Sequence, residues 1–173
     1  MSHENYSSLF TSIHWQSSLP VKIAPTLCHW LSDKGSLTMR LKSCCEQFAV
    51  RQIPVQHAKP YEYEVALLGD FSHYRSREVY LQGDGVDWIF ARSLWPDVAP
   101  CTVLNELANQ PLGSLLFASE QKGNVARHYG YLELAEQTLW ARLSIYSYRS
   151  IPVLVQELFL PESPAYRRHV NGQ

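Results

Sequence analysis

The chain has 173 residues, 46% of them hydrophobic and 18% charged, with a formal net charge of −1. That length and balance fit one globular domain with its own core and exclude a disordered chain. No basic block marks a nucleic-acid footprint, and no apolar run reaches membrane-spanning length.

The first 20 or so residues are polar and read as irregular. A single domain spans 1–173, with 1–24 and 167–173 peripheral to it. The opening "MSHENYSSLF" lacks a basic region followed by an apolar stretch, so a cytoplasmic protein is expected. "PTLCHWLSD" reads as a short helix with Pro25 near its start. "GSLTMRLKSCCEQF" reads as a second, N-capped by Ser36 and carrying Leu37, Leu41, Cys44, Cys45 and Phe48 at helical spacing. "FAVRQIPVQ" is a strand, and "HAKPYEYEVALLGDF" a connection with some structure of its own.

The clearest hairpin is "SREVYLQGDGVDWIFARSLWP", turning at Gly83-Asp84-Gly85. "CTVLNELANQ" and "PLGSLLFASE" read as two short helices, the second opened by Pro111. "ARHYGYLELA" reads as a strand against a competing helical pattern. "TLWARLSIYSYRSIPVLVQELFLP" closes the chain as a hairpin turning near Arg149 to Pro152. Helices, strands, helices, strands in that order predict an α+β fold, with helices set against an antiparallel sheet.

The familiar chemical signatures are missing from the sequence. The seven histidines make no HxxxH or HExxH, and there is no GxSxG, GxGxxG or P-loop. Cys28, Cys44, Cys45 and Cys101 make no CxxC, and they read as small apolar fillers in a reducing compartment.

Two charges break the pattern instead. Alternation places Arg77 with Val79 and Leu81, and Glu157 with Val153, Val155 and Phe159. Three readings are open. The two charges pair with each other or with nearby charges inside the core, a bulge moves one of them to solvent, or both line a cavity. In a cavity, Arg77 would hold a ligand carboxylate and Glu157 would make a hydrogen bond at the other end of a small apolar ligand. The helix starts at Ser36-Leu37 and Pro111-Leu112-Gly113 offer backbone amides that suit an anion, or are simply two capped helices. Arg92 shares the parity of Trp88 and Phe90 and either supports the site or caps the sheet edge. Arg142 lies with Trp140, Ser144, Tyr146 and Tyr148 on a mixed face expected to be solvated. His57 and His128 read as surface residues, and the five tryptophans as core or rim.

"SREVYLQGDGVDWIFARSLWP", "PLGSLLF", "LWARLSIY" and "VQELFLPESPAY" together resemble the chorismate pyruvate-lyase family. The resemblance runs from about Trp30 to Tyr166. It is poor from Cys44 to Gly69 and in the tail "RRHVNGQ". It implies a six-stranded antiparallel sheet with helices around it and an enclosed ligand site. It also implies conversion of chorismate to 4-hydroxybenzoate and pyruvate at the entry to ubiquinone synthesis, by a monomer without metal or cofactor.

For the site, the resemblance implies Arg77 and Glu157 as catalytic and substrate-binding residues, and Leu112 and Leu37 as substrate contacts. Leu37 stands where the family has a methionine, and Met39 is the rival if the local alignment is shifted by two. An apolar setting is expected to raise the Glu157 pKa, so that it either acts as a general acid or only orients the substrate while hydrogen passes within the molecule. The same fold also resembles the UTRA effector-binding domain of GntR-type regulators, which gives a rival reading as a non-catalytic sensor of aromatic acids. About 25 residues before the first helix are too few for a DNA-binding domain, which weighs against that rival.

Overall fold

Asp84 and Gly85 adopt φ values of 51° and 80°, so the first long hairpin reverses on two left-handed residues. Arg149 and Ser150 do the same for the second, at 49° and 67°. The computed structural model in which these turns lie describes residues 6–107, 110, 112–118 and 126–167.

The six strands are β1 (Phe48–Ala58), β2 (Tyr74–Gly83), β3 (Val86–Pro96), β4 (Ala126–Glu133), β5 (Thr138–Tyr148) and β6 (Ile151–Phe159). They form one antiparallel sheet in the order β1-β2-β3-β6-β5-β4. The α+β class and the six-stranded antiparallel sheet stand as expected.

The second hairpin differs from expectation in one respect that matters below. Its turn is two residues long, with Tyr148 opposite Ile151, so Pro152 lies inside β6. In the first, Gly83 is required by space: a Cβ there would stand 2.0 Å from the Trp88 ring. The Asp84 carboxylate accepts from the backbone N–H groups of Glu46 and Gln47 at 3.0 and 2.8 Å, which ties the turn to the start of β1.

Helices cover both faces. On one lie α2 (Pro25–Ser32), α3 (Leu37–Lys42), a 3-10 segment (Ala99–Glu106) and α5 (Leu112–Ala118). They pack as two clusters. Leu27, Trp30, Leu31, Leu37 and Leu41 meet Val79, Leu81 and Ile89, while Cys101, Leu104, Leu112 and Leu116 meet Trp95, Val153 and Val155. The other face carries α1 (Tyr6–Leu9), a 3-10 turn (Phe10–Ser12) and α4 (Glu62–Leu68), over Tyr80, Phe90, Leu94, Leu154 and Leu158.

The structure corrects several local expectations. The second helix ends at Lys42, well short of Phe48, although its Ser36 cap is present and accepts from the Met39 N–H at 3.3 Å. The segment 99–106 is 3-10 rather than α. Pro111 lies outside the described residues. The N-terminal stretch is irregular from Ile13 to Ala24 as expected, but Tyr6–Ser12 is helical, Phe10 is fully buried, and Gln16 pairs with Tyr129 at the β4 edge. Ile13 packs so closely there that a Cβ on Gly130 would meet it at 2.2 Å. His128 is half-buried rather than a surface residue, whereas His57 is exposed. No helix among the described residues is long and apolar enough to cross a membrane.

Candidate active site

Between the two helical clusters the sheet is left uncovered, and a cavity remains there. Its empty space, open solvent at the mouth included, is about 560 Å³. The floor is strand side chains of one parity: Val79, Leu81, Ala91 and Val155 supply the apolar part. Leu37 of α3 and Leu112 of α5 close it from the helix side. As the first residue of its helix, each carries a backbone N–H that the helix does not use.

Arg77 and Glu157 both open onto this cavity. Alternation along β2 and β6 therefore places them as the cavity reading required. Arg77 is 2% exposed and donates from Nη2 to the Gln110 carbonyl at 2.6 Å. Burial pushes its pKa down to about 10. A guanidinium removed from water in this way favours an anionic partner. A bulge in β1 at Pro54 and Val55 lies opposite Arg77, but the β2–β3 register is regular there, and the strand keeps its parity.

Glu157 is 8% exposed and is not paired with Arg77. Its Oε2 accepts from Arg142 Nε at 2.5 Å. Here the sequence reading of Arg142 fails. Its side chain is not solvated; it is 2% exposed and lines the same cavity. Burial would lower the Arg142 pKa, but the Glu157 carboxylate and its hydrogen bond outweigh that and hold it above the ordinary value. Nη1 donates to the carbonyls of Trp30 and Asp33 at 3.3 and 3.4 Å, which joins α2 to the sheet. Glu157 is thus held by a guanidinium, and does not stand in the purely apolar setting expected for it.

The signal that would have found Arg142 was the turn length. Counting outward from a two-residue turn puts Arg142 opposite Glu157, as observed. A turn running from Arg149 to Pro152 puts Ser144 there instead.

Arg92 belongs to neither of the roles considered for it. It projects from the opposite face of the sheet and is ion-paired with the buried Glu64 of α4, beside Glu78 at 3.7 Å. Glu64 also accepts from Gln156 at 2.7 Å. The shared parity of Arg92 and Trp88 is broken by a register shift in β3, where Trp88 is the extra residue between Asp87 and Ile89. Met39 is 69% exposed and does not line the cavity, whereas Leu37 does. None of the five tryptophans lines it either.

Comparison with known proteins places the chain in a family. The chorismate lyase family model matches residues 9–171. The chain is 34% identical over 169 residues to a chorismate pyruvate-lyase of Erwinia tasmaniensis, covering 94% of each chain. It is 34% identical over 168 residues to one from Pectobacterium carotovorum, covering 94% of this chain and 93% of the other. A probable chorismate pyruvate-lyase of Thiobacillus denitrificans is 38% identical over 156 residues, with 79% and 83% covered.

Among solved structures, the effector domain of PhnF from Mycobacterium smegmatis superposes with a TM-score of 0.53 at 14% identity. The match covers 75% of this chain and 91% of that one, and it shows a shared fold alone. A family match over nearly the whole chain, with relatives a third identical from end to end, settles the lineage: the chain belongs to the chorismate lyase family.

Proposed function

We propose that the protein is a chorismate pyruvate-lyase that converts chorismate to 4-hydroxybenzoate and pyruvate. The observation that carries this reading is the placing of Arg77 and Glu157 in one mostly apolar cavity closed by Leu37 and Leu112. Chorismate is a cyclohexadiene acid with a ring hydroxyl and an enolpyruvyl ether. In the reaction the ether C–O bond breaks and the ring carbon bearing the hydroxyl loses its hydrogen. Pyruvate gains a hydrogen at its methylene carbon, and the ring becomes aromatic. Aromatisation supplies the driving force, so the reading needs no metal or cofactor. The protein's work is orientation and charge placement.

In this reading Arg77 receives the ring carboxylate through its fork, helped by the Leu37 and Leu112 backbone amides. Glu157, fixed by Arg142, faces the ring hydroxyl and the ether oxygen. Both roles expected of Glu157 stand. It donates a proton as a general acid, or it accepts the hydroxyl hydrogen bond and holds the ring while hydrogen passes within the substrate.

We read the enzyme as a cytoplasmic monomer acting at the entry to ubiquinone synthesis. The rival, a non-catalytic aromatic-acid sensor of the UTRA kind, draws on a fold likeness at 14% identity, which carries no function. The test is direct. Purified protein with chorismate and a metal chelator is expected to release 4-hydroxybenzoate and pyruvate in equal amounts by chromatography. Stoichiometric binding of the aromatic acid with no turnover at micromolar enzyme would replace this reading with the sensor.

A further inference from the structure

The cavity holds a second arginine that the assignment of Arg77 and Glu157 leaves without a substrate group. Among the described residues, the cations lining the cavity are Arg77 and Arg142. They come from β2 and β5, at opposite sides of the β3–β6 pair. Arg142 is only partly used by the protein. Nε is taken by Glu157, and Nη1 by the Trp30 and Asp33 carbonyls. Nη2 donates to no described residue. An arginine carries five N–H donors in a rigid fork. Arg142 lines the cavity, so the donors it leaves unused can meet an acceptor from the ligand.

We infer that Arg142 binds the enolpyruvyl carboxylate of the substrate, and so recognises the part of chorismate that leaves as pyruvate. This rests on the chorismate reading and deepens it. Chorismate has two carboxylates and 4-hydroxybenzoate has one. Arg77 serves the carboxylate that both possess, and Arg142 the one that only the substrate has. The register supports the placement. Arg142 stands directly opposite Glu157 on the neighbouring strand, and Glu157 is the group assigned to the ring hydroxyl and ether oxygen. The side-chain carboxylate hangs from that same ether, so it reaches the guanidinium next to Glu157. The guanidinium then lies between two carboxylates and offsets their mutual repulsion. Tyr146, four residues along the strand on the same face, also lines the cavity and stays protonated, because burial and then the Glu157 carboxylate push its pKa up.

The test uses a stable ether of the product, 3-(carboxymethoxy)-4-hydroxybenzoate, and its side-chain methyl ester, each titrated calorimetrically into the protein. Wild type is expected to bind the diacid about ten- to a hundredfold more tightly than the ester, the range of one charge-assisted hydrogen bond. In Arg142→Gln that ratio is expected to fall to about one, and in Arg142→Lys to an intermediate value. Because the ratio is taken within each variant, general damage to the site cancels. Should Arg142→Gln fail to fold, Arg142→Lys and the wild-type ratio still decide. A wild-type ratio near one, or a ratio unchanged in either folded variant, overturns the inference. Absence of chorismate turnover by wild type would sink the underlying reading. Turnover with no preference for the diacid would sink this inference alone.

Discussion

Arg77 on β2 and Glu157 on β6 share one face of the sheet, two strands apart and offset by two residues along the strands. Arg77 is level with Ser93 and Val155, and Glu157 with Ala91 and Val79. At about 4.8 Å between strands and about 3.4 Å per residue, their backbones stand roughly 12 Å apart. A planar ring acid spans such a gap with a hydrogen bond at each end. Val79, Ala91 and Val155 lie between them and present a flat, small apolar floor.

Removal of the cation at one end should be felt chiefly by the carboxylate. Arg77→Ala is expected to weaken 4-hydroxybenzoate binding at least tenfold and up to about a few hundredfold in calorimetry. Unchanged affinity in a folded variant would place Arg77 outside the ligand site.

Glu157→Gln keeps the shape of the side chain and removes the charge that faces Arg142. The rate with chorismate is expected to drop about a hundredfold, the usual scale for losing a positioned acid–base group. A pH–rate profile of wild type beside the variant discriminates the two options for this residue. If both proteins showed the same rate and profile, Glu157 would have no part in the chemistry.

Gly83 tests the hairpin that carries Arg77. Its Cβ would overlap the Trp88 ring, which is itself buried against the core. Gly83→Ala is expected to cost about 1–3 kcal/mol by overpacking, lowering the melting temperature by roughly 2–10 °C for a chain of this size. A melting temperature equal to wild type would show that Trp88 moves aside freely.

Cys101 offers a pH-dependent check on the cluster beneath α5. Burial pushes its thiol up to about 11 from an ordinary 9.0, with smaller opposing contributions from Arg149 and Asp97. The unfolded chain therefore loses this proton near pH 9 while the folded chain keeps it until about pH 11. Between those values the folded state binds more protons, so its stability falls as pH rises. Urea melts of wild type and Cys101→Ala are expected to converge over that window. Iodoacetamide at pH 8.5 should label the half-buried Cys28 and Cys44 well before Cys101, as read by peptide mass spectrometry. Early labelling of Cys101 would contradict its burial.

Much of this protein is local and therefore readable from its residues in order. The Asp84-Gly85 turn, the period-two runs around it and the Ser36 cap all report short-range physics. They suffice for the α+β class and for the finding that Arg77 and Glu157 face the apolar side. Side-chain alternation is a property of one strand and needs no partner. The local reading failed where one extra residue or a shortened turn changes parity or pairing. The bulge at Trp88 puts that ring on the cavity face, while Phe90 and Arg92 share the other face, where Arg92 meets Glu64. The two-residue Arg149-Ser150 turn brought Arg142, rather than Ser144, to Glu157. Only the folded sheet decides such pairings, because register is set by turn geometry and by the packing of both faces together. The sequence alone determined that two charges sit on an apolar face. Tertiary structure decided that a third shares their cavity, because burying Glu157 beside the helices of that face requires a cation, and β5 is the strand that delivers it.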